Sequence, residues 1–547
     1  MSLNFEKEVL NLSKREGSMK KILVTLIMLG LLVGLLSGCK PQAAQPVTLV
    51  FAKGDAVNLD PANVTDGESI TVMNNIFEGL VRYKAGSTEV EPGLATSWEP
   101  SSDGLVWTFH LRQGVKFHDG TPFNADAVVF SLERQRDENH PFHQYGEWEY
   151  WGWCFSEIAK TDKVDDYTVK ITLSKPFAPF ISTIAMFTAY IVSPANAEQY
   201  KDQAVSHPVG TGPFKFVEWV RGDHITLEKN SDYWGEKAKI DKLIFKVITD
   251  PSSRFLALQK GEVQGMEFPN PDDLQKIESD PSLQTLSQPG LNVGYLAMNM
   301  GKDTPGFQGP FADVRVRQAI NYAINKKDIV EHLYKGTAEV AKNPLPPTLW
   351  GFNDAVQDYE YNPTKAKELL AEAGYPNGFK TNLWAMPVSR PYMFDPIKIA
   401  TAIQEQLRNV GIEAPIITYD WGTYLDKTEG GEHAMCLLGW TADYADPDNF
   451  IYVLLDQDSA TVGTAGNVAF YRNSEIHKLD MEAQAATDFN TRVELYKQAQ
   501  VIIHNDAPWV PLANAKQILV FNKNVKGFVL YPTGDYRFES TYIEKAQ

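Results

Sequence analysis

The chain has 547 residues, of which 43% are hydrophobic and 22% charged. This balance excludes a disordered chain, and the length excludes a single hydrophobic core. The formal net charge of −18 argues against any partner that must be gripped through a phosphate backbone, so nucleic acid is not expected.

From Met19 the sequence runs MKKILVTLIMLGLLVGLLSGCK: two lysines, an apolar stretch from Ile22 to Leu36, then Ser37-Gly38-Cys39. This is the layout of an export signal. Small residues before a cysteine look like a bacterial lipobox, in which Cys39 is lipidated and becomes the mature N-terminus. Residues 1–38 are thus expected to be a signal segment and 40–47 a linker. A single membrane-spanning helix is the competing explanation, but the polar KPQAAQP tract follows directly.

Further along, Leu105, Trp107, Phe109 and Leu111 alternate as one face of a strand. After the turn HDGTPF, Asn124 should cap a helix running to about Gln135. GTGPF at 210–214 lacks the third glycine of a dinucleotide loop and fits a tight turn into the strand FKFVEW. ITDPSSRFLALQKGEVQGMEF predicts strand, helix ending at Gly261, strand. Asp313 should start a helix with the apolar stripe Val316, Ala319, Ile320, Ala323 and Ile324. Asn362-Pro363 opens another, closed by Gly374 and Pro376. Ile397 to Arg408 predicts a helix followed by the strand IEAPIITY. Thr491 with Glu494 predicts a capping box for a helix to about His504. Strands alternating with helices predict an α/β protein with mixed sheets.

Catalytic motifs are missing: neither HExxH nor GxxxxGK[ST] nor GxSxG occurs, and there is no CxxC pair. No catalytic residue, metal site or cofactor is therefore expected. Cys154 and Cys436 lie in different apolar contexts and are expected to be buried free thiols.

The stretch LLGWTADYADPDNF at 437–450 concentrates Asp443, Asp446, Asp448 and Asn449 behind an apolar run. Asp446-Pro447 is a helix-start signature, with Asp446 as N-cap, and Asp448 complements the helix dipole. Asp443 has no such employment. A metal loop lacks the needed spacing and glycine, which leaves a solvated aspartate or a carboxylate awaiting a cation. The latter is favoured, with the carboxylate hydrated while the cleft is empty. In LWAMPVSRPYMFDP, Pro387 and Pro391 stiffen the backbone around Arg390, here expected to be extended, between Trp384 and Tyr392. Arginine suits a planar grip on a carboxylate. An uncommitted aspartate and a pinned arginine suggest a zwitterion held end to end; the alternative is that Arg390 and Asp443 pair with each other.

The segments FEGLVRY, VEPGLATSWE, WTFHLRQGVKFHDGTPFNADAVVFSLERQ, GTGPFKF, PGLNVGYLAMN, VRVRQAINYAINK, NPLPPTLWG, LWAMPVSRPY and GEHAMCLLGWTADYADPDNF together resemble the dipeptide-binding proteins of bacterial ABC importers. These belong to the extracytoplasmic solute-binding proteins for peptides and nickel. The resemblance covers essentially the whole chain after the signal segment. It implies an α/β, two-lobed periplasmic-binding-protein clamshell with mixed sheets and an extra subdomain in the first lobe. Residues 48–290 plus 518–547 would form lobe I and 291–517 lobe II, with hinge crossings near 288–294 and 513–520. It implies that Asp443 holds a peptide's amine and Arg390 its carboxylate. Backbone groups around Gly439, Trp440 and Thr441, and around Thr65, Asp66 and Gly67, would pair with the peptide main chain, with Trp384 and Tyr392 alongside. The implied partners are dipeptides and ABC permease subunits, for a monomer anchored to the membrane through its lipid. Oligopeptide, haem or nickel capture and peptide-signal reception are the alternatives. One departure is that the subgroup carries glycines in this loop where Ala442, Tyr444 and Ala445 stand here, which is expected to reshape a side-chain pocket.

Overall fold

The structure is a computed structural model that describes residues 46–545. The expected signal segment and Cys39 lie outside the described residues, as does all of the linker but Pro46 and Val47.

The core is a mixed sheet of twelve strands. In chain order they are β1 (Thr48–Lys53), β2 (Phe214–Val220), β3 (His224–Lys229), β4 (Lys242–Val247), β5 (Gly265–Glu267), β6 (Leu283–Pro289), β7 (Asn292–Met298), β8 (Ala338–Val340), β9 (Leu383–Trp384), β10 (Ile416–Ile417), β11 (Met435–Thr441) and β12 (Trp509–Asn522). Their spatial order is β10-β9-β11-β7-β12-β5-β1-β4-β3-β2, with β6 and β8 also on β12. The pairs β1–β4, β1–β5, β9–β10 and β9–β11 are parallel, and the others antiparallel. A separate antiparallel sheet of four strands holds Val106–Leu111 between Ala95–Pro100 and Thr168–Leu173.

The helices used below are α1 (Gly67–Met73), α2 (Ala125–Arg136), α3 (Pro251–Gln259), α4 (Val314–Ala323), α5 (Pro363–Glu372), α6 (Pro396–Arg408), α7 (Trp421–Glu429), α8 (Asp448–Leu455), α9 (Ser474–Ala485) and α10 (Phe489–Asp506). Local chemistry explains their starts. Asn124, Asp250, Asp313, Asn362 and Asp395 each accept a backbone N–H of the first turn, and three of these helices bring the proline that suits that position. The apolar stripe of α4 is buried as its spacing required. Two expectations need correction. α10 is capped by Asp488, which accepts from Thr491 N at 2.8 Å, so the helix starts before the expected capping box. The stretch IEAPIITY is interrupted at Pro415 into two short strands in different sheets.

β12 changes partners midway. Trp509 to Ala515 pair with β7 and β8, and Lys516 to Asn522 pair with β5 and β6. The chain turns between β6 and β7, from Pro289 to Asn292. At the switch, Asn292 replaces missing ladder bonds with its side chain: Nδ2 donates to Ala515 O at 2.9 Å and Oδ1 accepts Ala515 N at 2.8 Å. All seven residues of β7 are buried, so these groups have no recourse to water. From Thr48 onward the chain forms one compact unit, so the two half-sheets are joined through shared strands.

Replacing Asn292 by Ala should therefore lower stability by about 1–3 kcal/mol, because Ala515 N–H is left buried without an acceptor. Denaturation midpoints of the two proteins check this; equal midpoints would show that the strand ladder closes without the side chain.

Candidate functional site

β11 delivers the acidic loop. On one side it pairs along its whole length with β7, and on the other β9 covers only Met435 and Cys436. Among the described residues, no strand lies against that edge from Leu437 to Thr441, though Leu437 to Gly439 are buried and Tyr424 donates to Leu437 O at 2.7 Å.

The loop is held from several directions. Asn449, in the first turn of α8, accepts the Trp440 indole N–H at 2.9 Å and the Asp443 backbone N–H at 3.0 Å. From the N-terminal half, Tyr150 donates its phenol to Asp443 Oδ1 at 3.1 Å, and Tyr83 accepts the Ala445 N–H at 3.0 Å. Beneath the loop, Asp446 receives both arms of Arg492, each at 2.9 Å, and both side chains are nearly inaccessible. Asp448 is buried, accepting from Tyr444 at 2.7 Å and Gln484 at 2.8 Å. Burial, with the negative Asp446 nearby, pushes its carboxyl up to about 6.

Asp443 differs from these neighbours. Its Oδ2 is buried, and among the described residues no hydrogen-bond donor reaches it. Burial pushes this carboxyl up to about 7, and hydrogen bonding by Tyr150 and Asn449 only partly offsets that. Thr441 Oγ1, two residues earlier, is another buried oxygen without a partner.

Arg390 opens a tight turn: its N–H bonds Met393 O at 3.0 Å, and Met393 N–H bonds Arg390 O at 2.9 Å. Pro391 occupies the second position, where its fixed φ suits a turn. The segment is stiff as expected, but turned rather than extended. Tyr392 docks it on the sheet. A Cβ on Gly439 would come 2.2 Å from the Tyr392 ring, and one on Gly294 2.8 Å from the Tyr392 carbonyl. Gly439 is thus demanded by packing, and the Arg390 turn lies over the β7–β11 pair just ahead of Asp443. The guanidinium sits 5.3 Å over the Trp421 ring, and Nε is buried without a partner. Among the described residues Arg390 and Asp443 form no ion pair, so they do not neutralise each other.

Several expectations change. Asp446 does accept Asp448 N–H at 3.1 Å, but α8 begins at Asp448 and the principal partner of Asp446 is Arg492. Asp443 is half-buried, with its Oδ2 shut off from solvent rather than hydrated. Trp384 is 3% exposed, against Tyr419, Tyr424 and His433, so the aromatics beside Arg390 are Tyr392 and Trp421. Tyr444 points inward to Asp448 rather than shaping a pocket. Asp66 caps α1 through Ser69 N, Thr65 and Gly67 are exposed, and no hydrogen bond joins this turn to Asp443 or Arg390. Cys154 and Cys436 are buried free thiols, as expected. Tyr150, Tyr83 and Trp421 were not anticipated; the aromatic cluster EWEYWGWCF was the available signal for Tyr150.

A cavity of about 440 Å³ lies elsewhere, lined by Asp272, Gln275, Glu278, Lys335 and Lys516 among others. Its lysines are engaged: Lys335 pairs with Asp272, and Lys516 donates to Gly336 O at 3.0 Å. Unsatisfied buried charged atoms, not empty volume, mark the Asp443–Arg390 region, although among the described residues Asp480, Arg134 and Arg537 carry such atoms elsewhere.

Residues 89–461 match the family described as bacterial extracellular solute-binding proteins, family 5 Middle. The chain belongs to this family. It is 41% identical to the dipeptide-binding protein of Escherichia coli K12, covering 94% of this chain and 98% of that one. It is 43% identical to heme-binding protein A of Haemophilus influenzae, covering 91% and 92%. The solved structure of the ABC transporter-associated periplasmic binding protein DppA from Helicobacter pylori, in complex with the peptide STSA, superimposes with a TM-score of 0.82 at 41% identity, over 91% of this chain and 99% of that one. The two-lobed α/β class of the periplasmic binding proteins is thereby shown.

Two substitutions in the loop of this solute-binding protein should act in opposite directions. Asp446→Ala strands Arg492 in the interior and should lose about 3–5 kcal/mol of stability. Asp443 has a folded pKa above its unfolded one, so its ionisation opposes folding increasingly as pH rises from about 4 to 7. Asp443→Asn should therefore stabilise the free protein by about 1–3 kcal/mol at pH 8, with no gain near pH 4. Melting curves at the two pH values check both; a destabilised Asp443→Asn at pH 8 would contradict the assignment.

Proposed function

We propose that this chain is the extracytoplasmic binding subunit of an ABC importer and that it captures dipeptides between Asp443 and Arg390. The observation that carries this is the pair of unsatisfied, oppositely charged groups, Asp443 Oδ2 and Arg390 Nε, at one end of the β7–β11 pair. A peptide supplies an ammonium for the first and a carboxylate for the second, and its backbone can extend the sheet along the unpaired edge of β11. Recognition then falls on main-chain groups, which tolerates varied side chains.

Two extended residues span roughly 7 Å and three roughly 10 Å, so a clamp of fixed separation selects by length. The Helicobacter pylori relative was solved with a four-residue peptide, so any limit to two residues must come from the spacing in this chain. In this account residues 48–290 plus 518–547 and residues 291–517 act as two lobes that close on the ligand, flexing where β12 changes partners and between β6 and β7. Cys39 is the proposed lipid anchor that keeps the monomer beside its permease. Among the described residues no helix is long and apolar enough to cross a membrane.

Likeness to the Haemophilus influenzae protein makes haem the second reading. Isothermal titration with Ala-Ala, N-acetyl-Ala-Ala and the C-terminal amide separates the two. Asp443→Asn and Arg390→Ala should each bind Ala-Ala about 30-fold to several thousand-fold more weakly, the equivalent of about 2–5 kcal/mol. Acetylation should weaken binding to the unmutated protein by a similar factor and have little further effect on Asp443→Asn. Equal binding of blocked and unblocked peptides, with tight binding of haemin, would favour the second reading.

A further inference from the structure

The two ends of the proposed clamp are built differently. Arg390 rests on Met393 and Trp421, both within residues 291–517. Asp443 and Ala445 are instead met from residues 48–290, by Tyr150 at 3.1 Å and Tyr83 at 3.0 Å. A third bond crosses between the same two parts, from Ala178 N–H to Gln484 O at 2.6 Å.

Tyr150 follows a strained bend. Trp148, two residues before it, has φ 53°, a left-handed conformation that bulky side chains rarely adopt. Several contacts enforce it. The Trp148 indole N–H donates to His143 O at 2.7 Å, and the Arg134 guanidinium lies 5.2 Å from its ring. Arg134 in turn grips Asp60 with both arms, at 2.8 and 2.6 Å. Gly146 leaves the indole its room, since a Cβ there would come within 2.5 Å of the ring. Beyond the bend, the buried Tyr150 ring packs edge-on against Phe187 at 5.2 Å. Burial, with Asp443 nearby, holds its phenol well above the usual range, so it remains a donor. Strain imposed by this many partners serves position, and what it positions is a hydroxyl against Asp443.

We infer that Tyr150 is a positioning residue that clasps Asp443 across the cleft, making amine capture and lobe closure a single event. The inference rests on the reading of Asp443 as the amine site. By donating to Oδ1, Tyr150 fixes the rotation of the carboxylate and leaves Oδ2 for the ammonium. Tyr83, which also donates to Ser182 O at 3.0 Å, steadies the loop two residues on. Opening the lobes breaks both bonds and leaves the Arg390 turn intact. A peptide is therefore first held by its carboxylate and then locked by its amine as the two tyrosines arrive. Such a clasp governs escape more than capture.

Stopped-flow kinetics of the full chain with Ala-Ala and N-acetyl-Ala-Ala provide the test. Tyr150→Phe keeps the ring that packs on Phe187 and removes only the hydroxyl. Ala-Ala should leave this variant about 10-fold to 100-fold faster, with its association rate changed by less than about threefold. Tyr83→Phe, which leaves Ala445 N–H unmet, should shift the rates in the same direction. N-acetyl-Ala-Ala, which has no ammonium for Asp443, should bind Tyr150→Phe and the unmutated protein alike, whereas a merely structural role would weaken both peptides equally. Unchanged Ala-Ala dissociation from Tyr150→Phe, beside clearly weakened binding by Asp443→Asn, overturns the inference alone, as does an equal loss for the blocked peptide. Undiminished binding of Ala-Ala by Asp443→Asn overturns the amine reading, and the inference falls with it.

Discussion

Holding a carboxylate away from water without a cation is unfavourable, and Asp443 is in that condition. Its surroundings explain how it is maintained. Asn449 fixes its backbone, Tyr150 satisfies one oxygen, and the buried Asp446–Arg492 pair anchors the loop from below. Each support is a tertiary contact, so the loop is positioned by the whole fold rather than by its own turn propensity. A site built this way stores part of its ligand affinity in advance, because an arriving ammonium relieves an existing electrostatic penalty.

Arg390 is the counterpart by a different device. An aliphatic side chain at 439 would collide with Tyr392, so Gly439 permits the docking that holds the Arg390 turn in place. Trp421 then supports the guanidinium from one side without satisfying its Nε. Strand β12 joins both half-sheets, so movement between them is confined to the few residues where its pairing changes.

Much of the scaffold was legible in the sequence because it depends on local spacing. The alternation around Phe109, the stripe of α4 and the caps at Asn124, Asp313 and Asn362 are properties of adjacent residues. The misassignments were tertiary. Asp446 looked like a simple cap because Arg492 stands 46 residues away in the chain. Tyr150 is 293 residues from Asp443, and nothing local to either announces the contact. At α10, Thr491 resembled a cap, but Asp488, the stronger acceptor, lay just ahead of it. Asp443 and Arg390 stand out in the sequence as residues without local employment; the burial of Asp443 Oδ2 and Arg390 Nε could not be read from the chain.

The most direct test counts protons. If the Asp443 carboxyl of the free protein sits near 7, it is mostly protonated at pH 6 and must ionise to meet a peptide ammonium. Calorimetry of Ala-Ala binding at pH 6, in buffers of different ionisation enthalpy, should show release of about one proton per peptide. The release should shrink as pH rises and give way to uptake above about pH 8, where the free amine must gain a proton. Asp443→Asn should show no release at pH 6. Proton-neutral binding by the unmutated protein at pH 6, or the same release from Asp443→Asn, would contradict the account.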